Sequence, residues 1–139
     1  MDKNQVRDWM TTDPLMISSD TTLPEAFWIM IDNRIRRLPV VDKGVLVGIV
    51  TLEDLRGKVS DQTIRIDPIR ISDMLVKLPV RLVMTKSPHT ISPDANLIDA
   101  ARRMLKYEIS TLPVMDGDQL VGIITESDIF RALVKLLES

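Results

Sequence analysis

The chain has 139 residues, of which 45% are hydrophobic and 27% charged, and its formal net charge is -2. This composition supports a packed core and excludes a disordered polypeptide, and the absence of cysteine excludes disulfides and thiolate metal sites. The acidic balance disfavours a nucleic-acid-binding surface, and the longest apolar run, GVLVGIV, is too short to cross a membrane. We therefore expect a cytoplasmic protein that binds neither nucleic acid nor a membrane.

An internal repeat organises the sequence. Residues 6–55 align with residues 80–129 without a gap, and 22 of these 50 positions are identical. A gapless match of this density indicates a duplication. We predict a first repeat at residues 1–60 and a second at residues 80–139. Between them, residues 61–79 are predicted to contain an extended segment, IRIDPIRI, and a short helix after Ser72-Asp73.

Both repeats show the same order of predicted elements. A brief strand at Leu15–Ile17 or His89–Ile91 precedes a helix with apolar residues at helical spacing, and Thr22–Glu25 provides a capping box in the first repeat. Two β-rich runs then flank the turns at Asp42–Gly44 and Asp116–Asp118, which predicts a hairpin, and a second helix follows. Each repeat is therefore a β-α-β-β-α unit with helices on one face of a three-stranded sheet, an α/β fold of the α+β type.

The pattern Thr-x-x-Asp occurs in both repeats where the last strand meets the second helix, at Thr51–Asp54 and Thr125–Asp128. One interpretation is structural, because these residue types stabilise the start of a helix. The other is that each carboxylate accepts two hydrogen bonds from the 2′- and 3′-hydroxyls of a ribose. A capping box prefers the longer Glu, yet both repeats have Asp although Glu53 and Glu126 lie nearby, which slightly favours the ribose role.

The series MT..P..IS, a helix, then LPVVD with GIVTLEDL or LPVMD with GIITESDI, resembles the tandem form of the cystathionine β-synthase (CBS) domain. The resemblance extends from Val6 to Leu133. It implies two units packed face to face with pseudo-two-fold symmetry. It also implies a regulatory pair that binds AMP, ADP, ATP or S-adenosylmethionine in two related clefts. No cofactor is implied, and the absence of a nucleophile–base constellation argues against an enzyme.

The resemblance also implies roles for individual residues. Asp54 and Asp128 are assigned to the ribose, and Thr51 and Thr125 to ribose or phosphate. The basic residues before the LPV strand, Arg36 and Arg37, map onto the phosphate position, where planar guanidinium groups are suited to bind; a solvated surface is the alternative. The corresponding residues of the second repeat are Ser110 and Thr111, which carry hydroxyls but no charge.

Two further groups of residues are predicted to surround the adenine. The segments that border the base are Thr12, Asp13 and Pro14 in the first repeat and Lys86, Ser87, Pro88 and His89 in the second. Apolar residues of the LPV strands, Leu38, Pro39 and Leu112, would sandwich the base, although plain core packing explains most of these side chains. His89 is the single histidine and is not expected to bind a metal.

The two clefts are predicted to be unequal. The resemblance pairs the Asp of each repeat with the first-strand and pre-LPV segments of the other repeat. Asp128 would then share a cleft with Arg36 and Arg37, whereas Asp54 would share one with Lys86 and the Ser110–Thr111 hydroxyls. We therefore expect tighter binding of phosphorylated ligands in the cleft that contains Asp128.

The last helix suggests a protein partner. Its sequence, DIFRALVKLL, is apolar on more than one side, and its apolar residues are Ile129, Phe130, Leu133, Val134, Leu136 and Leu137. These cannot all face one small core, so we predict a homodimer, with the regulatory output passed to a separate effector protein. The alternative function is a dimerisation or interaction scaffold whose clefts bind no ligand.

Overall fold

The computed structural model describes residues 4–61 and 78–138. In chain order the strands and helices are β1 (Thr11–Thr12), α1 (Leu23–Asn33), β2 (Arg37–Asp42), β3 (Val45–Thr51), α2 (Leu52–Asp61), β4 (Thr85–Lys86), α3 (Leu97–Tyr107), β5 (Thr111–Asp116), β6 (Gln119–Thr125) and α4 (Glu126–Glu138). A single 3-10 turn precedes each short strand, at Val6–Asp8 and at Val80–Leu82. The extended segment and short helix predicted between the repeats lie outside the described residues.

Helices α1 and α3 begin at capping residues, and the capping box predicted for α1 is confirmed. Thr22 Oγ1 accepts a hydrogen bond from the Glu25 amide (3.3 Å), and the Glu25 carboxylate accepts one from the Thr22 amide, which completes the capping box. Asn96 Oδ1 accepts from the Ile98 amide at the start of α3 (2.9 Å). The apolar residues at helical spacing are largely buried in both helices, but the last ones, Ile31 and Leu105, are exposed. The buried face is therefore shorter than the periodicity predicted.

Each repeat contains the predicted hairpin. Strands β2 and β3 pair in antiparallel fashion around Lys43 and Gly44, both of which have positive φ, +50° and +79°. Strands β5 and β6 pair in the same way, with Gly117 at φ +61° in the turn. Two-residue hairpin loops require left-handed backbone of this kind, which glycine adopts without strain. The turn chemistry of both repeats therefore sets the hairpin.

The third strand of each sheet comes from the other repeat. Strand β4, from the second repeat, pairs with β3 of the first, with Thr85 opposite Ile49 and Lys86 opposite Gly48. Strand β1, from the first repeat, pairs in the same way with β6 of the second. The predicted strands Leu15–Ile17 and His89–Ile91 form only one β-bridge each, Ile17 to Val40 and Ile91 to Val114. The expectation that each repeat supplies its own three strands was therefore wrong.

The chain accordingly divides into two compact units that do not coincide with the repeats. One unit contains residues 1–14 and 88–139, and the other contains residues 15–87. Two equivalent ion pairs join the repeats within these units: Arg7 with Asp94, and Arg81 with Asp20. Each repeat contributes one segment, residues 6–14 or residues 80–87, to the unit built mainly from the other repeat, and these are here called the exchanged segments. Each arginine lies in an exchanged segment and each aspartate lies in the other repeat, so the duplicated sequence forms the same contact twice.

The exchanged segments also complete the two hydrophobic cores. Val80 is fully buried in the core around α1, and Val6 is fully buried in the core around α3. Gly48 lies where β4 crosses closely, because a Cβ there would come within 2.8 Å of the Thr85 carbonyl oxygen. A Cβ at Gly122 would come equally close to the Thr11 carbonyl oxygen. The two glycines thus leave room for the close approach of the short strand that the other repeat supplies.

Candidate functional site

The first Thr-x-x-Asp sequence forms a reciprocal cap where β3 runs into α2. The Thr51 amide donates to Asp54 Oδ2 (2.8 Å), and the Asp54 amide donates to Thr51 Oγ1 (3.1 Å). These bonds satisfy two amides at the start of the helix, which would otherwise lack intrahelical partners. They also hold the Asp54 carboxylate in one place while its side chain remains partly accessible. The structural interpretation of the motif is correct, and no residue among 4–56 and 78–138 forms a hydrogen bond or ion pair with Asp54 Oδ1.

The carboxylate of the second Thr-x-x-Asp sequence has an additional partner, an arginine. The Thr125 amide donates to Asp128 Oδ2 (2.9 Å), and Thr125 Oγ1 lies 3.3 Å from the same oxygen. The other oxygen, Oδ1, pairs with the guanidinium group of Arg131, one turn further along α4. Asp128 is only 3% exposed. Both carboxylate oxygens of Asp128 are therefore engaged, whereas only Oδ2 of Asp54 has a hydrogen bond from the described residues. In the first repeat the residue equivalent to Arg131 is Gly57, which has no side chain to form such an ion pair.

The arginines predicted to bind phosphate lie beside the first Thr-x-x-Asp sequence. Arg37 is opposite Thr51 in the β2–β3 pair, so the two side chains project from the same face of the sheet. The Arg36 guanidinium group forms an exposed ion pair with the Glu53 carboxylate. The hydrogen bond from Arg36 lowers the pKa of Glu53, with a smaller contribution from a backbone amide. A phosphate bound by Arg36 would therefore compete with Glu53.

The equivalent positions of the second repeat carry hydroxyls. Thr111 is opposite Thr125 in the β5–β6 pair, and the Glu126 amide donates to the Ser110 carbonyl oxygen (3.0 Å). Thr111 is 8% exposed, and its Oγ1 has no hydrogen-bond partner among the described residues. A buried hydroxyl without a partner is unusual, because its desolvation is uncompensated. The second repeat therefore presents an unsatisfied polar atom on the sheet face that carries Thr125.

The LPV residues predicted to sandwich an adenine are buried in the cores. Leu38 and Leu112 have no exposed surface, and Pro39 is also fully buried. The Leu38 and Leu112 side chains pack against other apolar residues of their own units. Core packing is thus the role that the structure shows for the two leucines, and Pro39, next to Leu38 in sequence, is buried as well.

The first-strand segments lie at the edges of the sheets. Thr12 pairs with Gly122, Lys86 pairs with Gly48, and the residues that follow them, Asp13 and Ser87, both have left-handed backbone at φ +48° and +47°. Pro14 and Pro88 come next and are half-buried. Each unit therefore brings an exchanged segment next to the strand that ends in Thr-x-x-Asp, as the sequence predicts for Thr12 with Thr125–Asp128 and for Lys86 with Thr51–Asp54. The predicted grouping of Arg36 and Arg37 with Asp128 remains a prediction.

His89 makes a contact that the sequence did not indicate. Its ring stacks on Tyr107, with centroids 3.7 Å apart and planes 12° from parallel. Lys106 Nζ lies 5.3 Å from the centroid of the same tyrosine ring. The partner was missed because Tyr107 is at the far end of α3 and its counterpart in the first repeat is Asn33. Within residues 4–61 and 78–138, no group of three or more His, Asp and Glu side chains is placed to hold a metal ion.

An open groove of about 620 Å³ lies between α3 and α4, and Glu126 of the second Thr-x-x-Asp sequence is one of its lining residues. It is lined by Ala101, Met104, Leu105, Glu108, Ile109, Ser110, Glu126, Ile129 and Phe130. The mixture of apolar side chains with two carboxylates disfavours a phosphate ligand, which the negative charges would repel. Further along α4, Phe130, Leu133, Val134, Leu136 and Leu137 are exposed. Phe130 belongs to both sets, and the groove together with these exposed residues is here called the α4 surface.

None of the described helices has the length and apolar character needed to span a membrane.

The chain is 36% identical over 138 residues to a CBS domain-containing protein of Dictyostelium discoideum, covering 96% of this chain and 93% of the relative. It spans only 44% of the uncharacterized protein MJ0188 of Methanocaldococcus jannaschii and 15% of the A-adding tRNA nucleotidyltransferase of Aquifex aeolicus. Some relatives are therefore enzymes much longer than this chain.

Two solved structures closely match the fold. The CBS domain pair of protein MJ0100, in complex with 5′-methylthioadenosine and S-adenosyl-L-methionine, has a TM-score of 0.79 and 32% identity over 94% of this chain and 96% of that one. CBSX2 in complex with AMP has a TM-score of 0.79 and 30% identity over 96% and 98% of the two chains. The family model of the CBS domain matches residues 6–61 and again residues 80–135. The chain therefore belongs to the CBS domain family and contains a tandem pair of these domains.

Proposed function

We propose that this chain is a regulatory module that binds adenosine-containing ligands, AMP, ADP, ATP or S-adenosylmethionine, in clefts between its two CBS repeats. The observation that carries the proposal is the Thr-x-x-Asp carboxylate, which is built twice and held in place each time by the amide of its own threonine. CBS pairs with 30–32% identity to this chain are solved with AMP and with adenosine-derived sulfur compounds. The ligands share an adenosine, so the binding groups must recognise the nucleoside.

A fixed carboxylate is suited to recognise a ribose. Two vicinal hydroxyls donate to its oxygens, and hydrogen bonds to a charged acceptor are about twice as strong as neutral ones. Because the cap bonds already order Asp54 and Asp128, binding would cost little additional side-chain entropy. Arg36 and Arg37 supply the positive charge that would distinguish phosphorylated ligands from S-adenosylmethionine.

We propose no catalytic role. The sequence contains neither a glycine-rich phosphate loop nor a nucleophile–base constellation, and the relatives of similar length are CBS domain-containing proteins without an enzyme name. Regulation would reach a separate effector protein, and a cytoplasmic location remains a prediction.

A second candidate function is an interaction scaffold, favoured by the α4 surface. Five apolar side chains exposed on one helix are more than isolated surface residues explain. We propose that this surface forms a homodimer. Dimerisation and ligand binding are compatible, so the scaffold stands alone only if no adenosine-containing ligand binds.

Thermal unfolding with AMP, ADP, ATP, S-adenosylmethionine, NAD and GTP separates the two functions. A ligand at 100 times its dissociation constant stabilises the folded state by about 2.7 kcal/mol, which raises the melting temperature by several degrees. We expect adenosine-containing ligands to do so and GTP to have a weak effect or none. The matched control is the chain with both Asp54→Ala and Asp128→Ala, which should not respond. A flat response of the wild-type chain to every adenosine-containing ligand up to millimolar concentration would favour the scaffold.

A further inference from the structure

We infer that Arg131 determines ligand specificity at Asp128 by selecting phosphorylated adenosine ligands over unphosphorylated ones. This inference rests on the proposed function and extends it to a residue outside the predicted site. It starts from the difference between the two repeats: Arg131 contacts the Asp128 carboxylate, and the equivalent residue of the first repeat is Gly57.

The contact places Arg131 in competition with a ribose. Oδ2 of Asp128 is engaged by Thr125 and Oδ1 by Arg131, and the aspartate is 3% exposed. Two vicinal hydroxyls cannot both reach this carboxylate unless the guanidinium group leaves Oδ1. The Arg131 side chain is 66% exposed, so it can rotate into solvent, whereas Asp128 is fixed by its cap. Arg131 is therefore the partner that moves.

The consequence depends on what the ligand carries. Adenosine would displace the guanidinium group and offer it no new partner, so the lost ion pair weakens binding. AMP would displace the same group and supply a phosphate within reach of a long side chain, and guanidinium groups bind phosphate in a bidentate geometry. The loss is then compensated for AMP and uncompensated for adenosine. Arg131 thus opposes nucleosides and favours nucleotides at the same carboxylate.

An unsatisfied hydroxyl group in the same unit as Asp128 is a second feature that favours a ligand there. Thr111 Oγ1 is buried and has no hydrogen-bond partner among the described residues, and Thr111 lies directly opposite Thr125 on the same sheet face. Asp128, Arg131 and Thr111 all belong to one compact unit. The sheet face that carries Thr125, the capping partner of Asp128, therefore also presents an unsatisfied polar group, which a helix-stabilising ion pair alone does not require.

Calorimetry with AMP and adenosine tests the inference, because the two ligands differ only in the phosphate. The full chain with Asp54→Ala is used so that Asp128 is the remaining Thr-x-x-Asp carboxylate, and wild type is measured in parallel. In this background Arg131→Ala should bind adenosine several-fold more tightly and reduce the preference for AMP by about tenfold, the loss expected for one charge-assisted contact. Arg131→Lys should retain part of the preference. The control, Lys135→Ala, removes the same charge from α4 and should change neither affinity.

Each other outcome is decisive. If Arg131→Ala weakens AMP and adenosine equally, Arg131 only supports Asp128 and the inference is wrong. An unchanged preference for AMP also overturns it. If wild type binds both ligands but the Asp54→Ala chain binds neither, Asp128 does not bind ribose, and the inference fails while the proposed function survives. A wild-type chain that binds neither ligand contradicts the proposed function and the inference together.

Discussion

The amide of Thr51 donates a hydrogen bond of 2.8 Å to Oδ2 of Asp54, and this bond gives one side chain two possible roles. The same carboxylate caps α2 and, in the proposed function, accepts ribose hydroxyls. A capping role needs one oxygen acceptor, whereas a ribose clamp needs the charged carboxylate. The two roles can therefore be separated by substitutions that remove one requirement at a time.

The Asp54→Asn substitution keeps an oxygen that can accept from Thr51 and removes the negative charge. We expect the free energy of unfolding to change by no more than about 0.5 kcal/mol and the affinity for AMP to fall. Asp54→Ala, which also removes the cap, should cost about 1 kcal/mol of stability. Urea unfolding and calorimetry measure the two effects. An Asn variant that binds AMP as tightly as wild type would show that Asp54 is a cap and nothing more.

The exchanged segments predict an unusual pattern of stability. Val80 is fully buried in the core of the first repeat although it belongs to the second, whereas Leu82, two residues away, is 56% exposed. Val80→Ala should lower the free energy of unfolding by about 2 kcal/mol, because two buried carbon atoms are lost and a cavity remains. Leu82→Ala is the matched control and should change it by less than about 0.5 kcal/mol. Equal effects of the two substitutions in urea unfolding would contradict the segment exchange.

The ion pair between Arg36 and Glu53 predicts a pH dependence. Because the pKa of Glu53 is lowered in the folded state, its contribution to stability is present above the pKa that it has in the unfolded chain. The contribution is lost as the pH falls through the lowered value. For so exposed a pair it is less than about 1 kcal/mol. Arg36→Ala should raise the pKa of Glu53 towards its ordinary value in an NMR titration, and Arg34→Ala should leave it unchanged. A Glu53 pKa that does not respond to Arg36→Ala would mean that the pair does not form in solution.

Much of the fold could be predicted because its signals are local. Helical spacing, the Thr22–Glu25 cap and the turn at Lys43-Gly44 each act over a few residues, and the duplication presents them twice. The segment exchange could not be predicted from the sequence, because strands β1 and β4 have only two residues each and show no periodicity. The arginine at positions 7 and 81 and the aspartate at positions 20 and 94 are the same in both repeats, which indicates that these residues could form ion pairs. The sequence alone does not show which arginine contacts which aspartate.

The site was predicted unevenly for a related reason. The Thr-x-x-Asp motif lies at a strand-to-helix junction that the sequence identifies, and its cap geometry is confirmed. Arg131 was overlooked because a charged residue on an exposed helix is ordinarily solvated; its contact with Asp128 depends on the rotamer. The difference between Arg131 and Gly57 is visible when the repeats are aligned, and it is the clue that could have revealed the unequal aspartates.

The α4 surface predicts a dimer that one charge should dissociate. Phe130 is 59% exposed and also lines the groove between α3 and α4. We expect wild type to sediment as a dimer and Phe130→Glu to sediment as a monomer, because an interface that buries an unpaired carboxylate is strongly destabilised. Lys135→Glu changes charge on the same helix without removing an apolar contact and should weaken the dimer less. A wild-type chain that is monomeric at tens of micromolar would refute the dimer.

The central claim is that Asp54 and Asp128 bind the ribose of an adenosine-containing ligand, and calorimetry with AMP and 2′-deoxy-AMP tests it most directly. Loss of one charge-assisted hydrogen bond should weaken the binding of the deoxynucleotide to wild type by about tenfold or more. The chain with both Asp54→Ala and Asp128→Ala should bind the two nucleotides equally weakly, because the group that senses the missing hydroxyl is absent. Equal affinity of wild type for AMP and 2′-deoxy-AMP would contradict the ribose role of these aspartates.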